Sequence, residues 1–225
     1  MPDGFSGIAM ATAHAAGTNF GARAAMKQIS PSAERNKALI FDVLNPYLPR
    51  DGTVLEIASG TGQHAAYNAE QRRDIHWQPT DIDPVSIASI AAYQAECKQS
   101  GMQIPLYFSI QEEPPQGILA SYDVMVSINM IHISAWESCL RLLDHATRLL
   151  NPGGLLFMYG PFLQDGIPTA PSNLDFDRSL RDRNPAWGIR DLGVVMKEAL
   201  TRGLQPIKTV AMPANNLCVM FGKRG

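Results

Sequence analysis

The pattern of apolar and polar positions predicts helices and strands that alternate along most of the chain. From Pro31 to Pro49, apolar residues recur every three or four positions, which is typical of an amphipathic helix capped by Ser30. An apolar run over residues 54–58 then ends at a glycine-rich turn, residues 59–62. Such a run indicates a buried strand that leads through the turn into a helix.

Further strands are predicted on the same grounds at residues 75–79, 106–110, 122–128, 155–159, 207–212 and 217–221. Helices are predicted after Asp83, after a capping box formed by Ser134 and Glu137, and over residues 190–202. The alternation over residues 54–158 predicts an α/β fold with a parallel sheet and helices on both faces. Residues 164–190 are predicted to form a long polar loop, and such loops are usually functional.

The composition narrows the class of protein. The 225 residues suit one domain, and 45% hydrophobic and 18% charged residues are typical of a globular chain. The formal charge of -2 argues against nucleic acid as the main partner. No apolar run is long enough for a membrane helix, and three scattered cysteines favour a reducing compartment. We therefore expect a cytoplasmic monomer or homodimer that handles a small molecule, without a metal, a membrane or nucleic acid.

The first 29 residues differ from the rest because they are rich in alanine and glycine. We predict a flexible arm at residues 1–29, followed by one domain at residues 30–225. The alternative is a lid that becomes ordered over a bound ligand. The sequence leaves both interpretations open.

The glycine turn is the first candidate binding site, since ligands of parallel sheets bind at the carboxyl ends of the strands. Gly60 and Gly62 allow close approach of the backbone to a ligand. The dinucleotide pattern G-x-G-x-x-G is met only in part, because Ala65 stands at the third glycine position. The acidic Glu56 upstream suits a ligand with an ammonium group and no phosphate. S-adenosylmethionine (SAM) has this chemistry.

A second acidic residue lies where the ribose of such a ligand would bind. Asp81 ends the predicted second strand, 25 residues after Glu56, and a carboxylate there can accept ribose hydroxyl groups. The neighbouring Asp83 is more simply explained as a helix cap. A Gly-Gly entry to a later strand, at residues 153–154, adds to this pattern.

These features resemble the class I SAM-dependent methyltransferases over about residues 32–222. Residues 56–62 look like the first motif of these enzymes, Asp81 like their ribose-binding acid, and residues 151–154 like the turn before their fifth strand. The greatest similarity is to a branch of methyltransferase-like proteins with no agreed acceptor, through residues 30–37, 129–134, 159–162, 172–173, 184–191 and 212–216. The resemblance implies a Rossmann-like, seven-stranded sheet with an antiparallel last strand, and SAM as cofactor.

The expected cofactor contacts follow from these motifs. They are Glu56, Ala58, Ser59, Gly60, Gly62, His64, Asp81, Ile82 and Asn129. The chain departs from many relatives near the third strand, where Ser109, Ile110 and Gln111 stand in place of an acidic residue that contacts adenine. Glu112 is the alternative. For His64, a position on the helix surface is the competing interpretation.

Candidate catalytic residues follow the fourth and fifth strands, namely Asn129, His132 and Tyr159. His132 is either a base for the acceptor or a buried histidine bonded to backbone, and Tyr159 either orients the acceptor or fills the core. The candidate acceptor contacts are Arg35, Tyr159, Asn173, Arg181, Trp187 and Asn215. An arginine of the 164–190 segment would pair with an acidic acceptor, unless the charges there pair with one another.

The sequence thus predicts a SAM-dependent methyltransferase that acts on a small polar acceptor by direct in-line displacement. Two alternatives remain at this stage. One is a non-catalytic SAM-binding protein, and the other is a nicotinamide-dependent oxidoreductase.

Overall fold

A seven-stranded sheet forms the centre of the protein, in the order β3-β2-β1-β4-β5-β9-β8. The computed structural model describes residues 27–97 and 99–225. The strands of this part of the chain are β1 (Thr53–Ile57), β2 (His76–Asp81), β3 (Leu106–Tyr107), β4 (Tyr122–Ile128), β5 (Leu150–Gly160), β6 (Phe162–Leu163), β7 (Arg190–Asp191), β8 (Leu204–Met212) and β9 (Asn216–Lys223). The helices are α1 (Pro31–Leu44), α2 (Gln63–Gln71), α3 (Pro84–Glu96), α4 (Trp136–Leu149), α5 (Pro171–Arg183) and α6 (Leu192–Thr201).

The strand directions match the predicted topology. β1 pairs in parallel with β2 and β4, and β4 pairs in parallel with β5. β9 is antiparallel to both β5 and β8. The predicted α/β fold with a mostly parallel sheet is therefore confirmed. The strand order reverses between β1 and β4, and the carboxyl ends of these two strands are where such sheets bind ligands.

Apolar side chains cover both faces of the sheet. One buried cluster joins Ile40 of α1, Ala65 of α2 and Ile90 of α3 to β1, β2 and β5. The other joins Leu142 of α4 and Val195 of α6 to the opposite face of β1, β4 and β5. Burial on both faces explains why the central strands read as continuous apolar runs in the sequence.

Two of the predicted elements are wrong in detail. The third strand is limited to Leu106–Tyr107, shorter than the predicted 106–110. The predicted capping box is absent, because α4 begins at Trp136 after Ala135, which has no capping side chain. The hydroxyl of Ser134 instead donates a hydrogen bond to the carbonyl of Met130 at 2.8 Å. The Ser134 hydroxyl thus binds a carbonyl of the preceding turn and not an N–H of α4.

The predicted loop over residues 164–190 is the largest correction. It contains the 13-residue helix α5 (Pro171–Arg183) and ends at β7, which pairs with β6. The helical period is weak in the sequence because α5 buries only Asn173 and Leu180. A helix whose other positions face solvent carries little apolar periodicity.

The predicted N-terminal arm lies outside the described residues, apart from residues 27–29. The backbone N–H of Gln28 donates to Ser89 Oγ at 2.7 Å, and Tyr93 donates to the Gln28 carbonyl at 3.2 Å. Lys27 forms an ion pair with Glu96. These contacts attach the chain before α1 to α3. Within residues 27–97 and 99–225, no helix has the length and apolar character needed to cross a membrane.

Candidate active site

The glycine turn between β1 and α2 is built from left-handed backbone positions. Ala58, Gly60 and Gly62 have φ values of 57°, 56° and 87°. A Cβ added at Gly62 would lie 2.9 Å from the Cα of Ile90, so the glycine allows α2 to approach α3. A Cβ added at Gly60 would meet no atom of the described residues within 4 Å. Gly60 therefore borders open space at the ligand-binding edge of the sheet.

The carboxylate of Asp81 links the end of β2 to this turn. Its Oδ2 accepts a hydrogen bond from the N–H of Gly60 at 2.8 Å. Its Oδ1 accepts from the N–H groups of Ile82 and Asp83, at 2.8 and 2.9 Å. A carboxylate has about four lone-pair positions, so these bonds leave one acceptor position for a ligand hydroxyl. A second ligand hydroxyl would replace the bond to Gly60.

Glu56 lies behind the turn as a buried carboxylate. Only 1% of the residue is exposed, and its Oε2 accepts from the indole N–H of Trp77 at 2.7 Å. Burial raises the pKa of Glu56 to about 7. None of the ion pairs among the described residues gives this carboxylate a cationic partner. A ligand ammonium group would favour its ionised form.

His64 belongs to the interior, which contradicts the interpretation as a helix-surface residue. It is 7% exposed, and burial lowers its pKa to about 4. Its Nδ1 has no hydrogen-bond partner among the described residues. The ring is therefore neutral and enclosed in the first turn of α2, directly after the glycine turn.

Gln63 links the glycine turn to the start of α1, a role that sequence reasoning missed. Its Oε1 accepts from the N–H of Ser30 at 2.6 Å and from the hydroxyl of Thr61 at 3.0 Å. Its Nε2 donates to Glu34 at 2.9 Å. The only signal in the sequence was its position directly after the turn, because its partners Ser30 and Glu34 at the start of α1 are 33 and 29 residues away.

His132 ends the short 3-10 turn, residues 130–132, that follows β4. The residue is fully buried, and its Nδ1 accepts from the N–H of Arg190 at 3.4 Å. Its ring packs edge-on against Phe162, with 5.1 Å between the ring centroids. A Cβ at Gly160 would lie 2.6 Å from His132 Nε2, an atom without a hydrogen-bond partner in the described part of the chain. Burial lowers the pKa of His132 to about 3. This geometry favours the buried, backbone-bonded histidine over the base.

Asn129 and Tyr159 connect the ends of β4 and β5. Asn129 has a left-handed φ of 60°, and its N–H donates to the Tyr159 carbonyl at 2.7 Å. The Tyr159 ring is 4% exposed, and its hydroxyl accepts from Nδ2 of Asn36 at 3.3 Å. Burial raises the pKa of Tyr159. The tyrosine thus fills the core, and its hydrogen bond with Asn36 fixes α1.

The candidate acceptor residues separate into different surroundings. Asn173 donates from Nδ2 to the Asn215 carbonyl at 3.0 Å, so these two lie together. Arg181 forms an ion pair with Asp177 at 2.8 Å, and the guanidinium of Arg183 lies 5.4 Å from the Trp187 ring centre. Arg35 is exposed on α1. The structure therefore brings together Asn173 and Asn215 but not the whole set.

Arg190 is a second residue whose role the sequence did not predict. Its guanidinium donates to the carbonyls of Ile131 at 2.9 Å, Ser134 at 2.6 Å and Ala186 at 2.9 Å. These bonds hold the loop after β4 against the segment before β7. Every residue has a backbone carbonyl, so the residue types do not identify these partners, and only the folded chain shows this role.

A known protein family matches most of the chain. Residues 27–223 match the family described as "Protein of unknown function (DUF938)". The chain belongs to the DUF938 family. Part of this DUF938 protein, 109 residues or 48% of the chain, is 29% identical to a segment of the non-reducing polyketide synthase nvfA of Aspergillus novofumigatus. The match spans 5% of the length of that relative.

Solved structures share the fold of the DUF938 chain. A protein from Galdieria sulphuraria, described as a candidate sarcosine dimethylglycine methyltransferase, superposes with a TM-score of 0.67 at 18% identity, over 85% of this chain and 86% of that one. An O-methyltransferase family protein from Burkholderia thailandensis gives a TM-score of 0.71 at 14% identity, over 86% and 57% of the two chains. The Rossmann-like methyltransferase fold is therefore shown.

Proposed function

We propose that this DUF938 protein is a SAM-dependent methyltransferase acting on a small polar acceptor. The observation that carries the proposal is the link between Gly60 and Asp81, which puts an open glycine turn and a carboxylate at one point of the sheet edge. The fold shared with methyltransferases supports it.

The residues present fit the chemical groups of SAM. Asp81 keeps one acceptor position for a ribose hydroxyl, and Ile82, 58% exposed beside it, offers an apolar surface for the adenine ring. Glu56 is a buried carboxylate without a cationic partner among the ion pairs of the described residues. It complements the ammonium group. SAM, when bound, supplies a methyl group already activated on a sulfonium.

Because the donor is activated, the protein's task is alignment more than acid–base chemistry. In this proposal, Asn129 and His132 shape the loop after β4, and Tyr159 holds α1 against β5. His132 keeps its ring neutral and inside the protein, so it does not take a proton from the acceptor. Any acceptor proton passes to water.

A nicotinamide dinucleotide fits the same turn less well. Its phosphates would lie at the glycine turn, close to the carboxylate of Glu56, where like charges repel. This repulsion favours a phosphate-free cationic cofactor.

Calorimetric titration with SAM, S-adenosylhomocysteine and NADPH tests the cofactor. We expect the first two to bind, and both to bind more weakly to Asp81→Ala. Conversion of methyl-labelled SAM in the presence of a cell extract tests catalysis. Binding without turnover would leave a SAM-binding protein, and binding of NADPH instead of SAM would overturn the proposal.

A further inference from the structure

We infer that the acceptor is an uncharged molecule that binds in a cavity between the start of α5 and the tip of the β8–β9 hairpin. The role as a methyl acceptor rests on the proposed methyltransferase function, whereas ligand binding in the cavity can be tested separately. The cavity has a volume of about 220 Å³. It is smaller than the roughly 300–1,000 Å³ typical of sites for drug-sized ligands, so it suits a small molecule.

The cavity lies on the same edge of the sheet as the glycine turn. Gly160, the last residue of β5, pairs with Leu217 near the start of the antiparallel strand β9. Leu217 and Phe162 both line the cavity. The glycine turn follows β1 at this edge, three strands away in the order β1-β4-β5-β9. The cofactor residues and the cavity thus occupy neighbouring halves of one edge.

A continuous set of contacts joins the two halves. The N–H of Asn129, at the end of β4, donates to the carbonyl of Tyr159 in β5. Gly160 lies against the ring of His132, and that ring packs on Phe162, which forms a wall of the cavity. His132 is therefore a positioning residue between the cofactor edge and the cavity.

The lining of the cavity is neutral. Its polar groups are the side-chain amides of Gln164, Asn173, Asn215 and Asn216 and the hydroxyl of Thr169. Among residues 27–97 and 99–225, none of those that line it carries a charge. Amides donate and accept hydrogen bonds equally, which suits a neutral polar partner. A charged acceptor would lose its hydration there without gaining an ion pair.

Three arginines of residues 164–190 are already bound within the protein. Arg181 binds Asp177, and Arg190 donates to three backbone carbonyls. Arg178 forms an ion pair with Asp175. The sequence analysis expected an arginine of residues 164–190 to pair with an acidic acceptor, unless the charges paired with one another. These arginines bind internal partners. The polar surface that remains at the cavity is amide and hydroxyl.

The backbone at the cavity is held in an unusual conformation. Ala214 and Asn215 have φ values of 57° and 56°, and alanine rarely adopts this region. Two bonds from the Asn216 amide, to the carbonyls of Pro213 and Ala214 at 3.2 and 3.3 Å, stabilise this tip. Asn173, 7% exposed, holds it against α5. Such backbone strain clusters at ligand sites.

Three fragments of similar size and different charge test the inference. Benzamide, benzoate and benzylammonium are compared by saturation-transfer NMR on the full chain with S-adenosylhomocysteine present. We expect benzamide to give a signal at least fivefold stronger than the other two. A stronger benzoate or benzylammonium signal, or no benzamide signal, would overturn the inference.

Three variants test the location and the charge preference of this binding. Ala211→Trp fills the cavity from its exposed rim and should reduce the benzamide signal at least fivefold. Thr209→Trp, exposed two residues earlier on the same strand, is the matched control and should leave the signal unchanged. Gln164→Glu adds a carboxylate to the lining and should reverse the preference toward benzylammonium. Benzamide binding that survives in Ala211→Trp contradicts the assignment.

A methylation assay separates this inference from the proposed function. A metabolite extract is divided by ion exchange at pH 7 and incubated with methyl-labelled SAM. Acceptor activity should lie in the unretained neutral fraction and fall at least tenfold in Ala211→Trp, with the SAM affinity within twofold of wild type. Activity in an ion-retained fraction overturns the inference. If no fraction is methylated although SAM binds, the proposed function fails, and the benzamide result still decides the cavity.

Discussion

The N–H of Gly60 donates a hydrogen bond to the carboxylate of Asp81, with 2.8 Å between the two heavy atoms. The two residues lie 21 positions apart in the chain, after adjacent parallel strands. The carboxylate proposed to hold the ribose therefore also fixes the shape of the glycine turn. Cofactor affinity and local stability should change together when this bond is lost.

Replacement of Asp81 by alanine tests that coupling. Three backbone N–H groups lose their acceptor, and we expect a loss of about 3 kcal/mol in the free energy of unfolding together with an at least tenfold weaker affinity for SAM. Asp83→Ala is the control, because it removes only the cap of α3 at a cost of about 1 kcal/mol and should leave the affinity unchanged. Urea denaturation and calorimetry measure both quantities. An equal loss of affinity in the two variants would contradict the assigned role.

The two glycines of the turn should respond differently to alanine. Gly62→Ala puts a Cβ 2.9 Å from the Cα of Ile90 in a left-handed conformation, so we expect a destabilisation of about 3 kcal/mol. The Cβ of Gly60→Ala meets no atom in the part of the chain that the structure describes, so the substitution should cost only about 1 kcal/mol. Its new methyl group enters the open space proposed for the cofactor. Wild-type affinity for SAM in Gly60→Ala would argue against the site.

The stability of the protein should depend on the protonation of Glu56. Burial raises its pKa to about 7, above its ordinary value of 4.5, so the native state holds the proton more tightly than the unfolded chain. The resulting stabilisation is present below pH 4.5 and is lost as the pH rises through 7, by about 3 kcal/mol in all. Glu56→Gln keeps an acceptor for the Trp77 N–H and should be more stable than wild type at pH 8. Urea denaturation at pH 5 and pH 8 measures the difference, and equal stability at pH 8 would refute it.

The same substitution should weaken cofactor binding. Without the carboxylate, the ammonium group of SAM loses its proposed partner, and the affinity at pH 8 should fall at least tenfold. In the wild type, the affinity should fall as the pH drops below 7, since Glu56 becomes protonated. A pH-independent affinity in the wild type would show that Glu56 does not contact the cofactor.

His132 should remain neutral throughout the physiological range. Burial lowers its pKa to about 3 from an ordinary 6.5. Between these two pH values, the histidine is protonated in the unfolded chain and neutral in the native state. This residue should therefore reduce stability by about 2 kcal/mol between pH 7 and pH 5. NMR titration of the imidazole should show no transition above pH 4. A transition near pH 6.5 would instead favour a role for His132 as the base.

Local patterns were enough to predict most of the sheet. The apolar run of β1, the glycine turn after it and the acid at the end of β2 are each contained in a few neighbouring residues. α5 was missed because it buries only two side chains and so lacks a helical period. The capping box was predicted wrongly because the Ser134 hydroxyl binds the Met130 carbonyl, which the motif does not include.

By itself, the sequence determined the α/β class and the place of the glycine turn and Asp81, since these depend on periodicity and on residues close in the chain. Only the tertiary structure decided that His132 and Tyr159 are buried, that Arg190 binds carbonyls and that Asn173 meets Asn215. Burial and hydrogen bonding join residues far apart in the chain, and these contacts form only when the elements pack together.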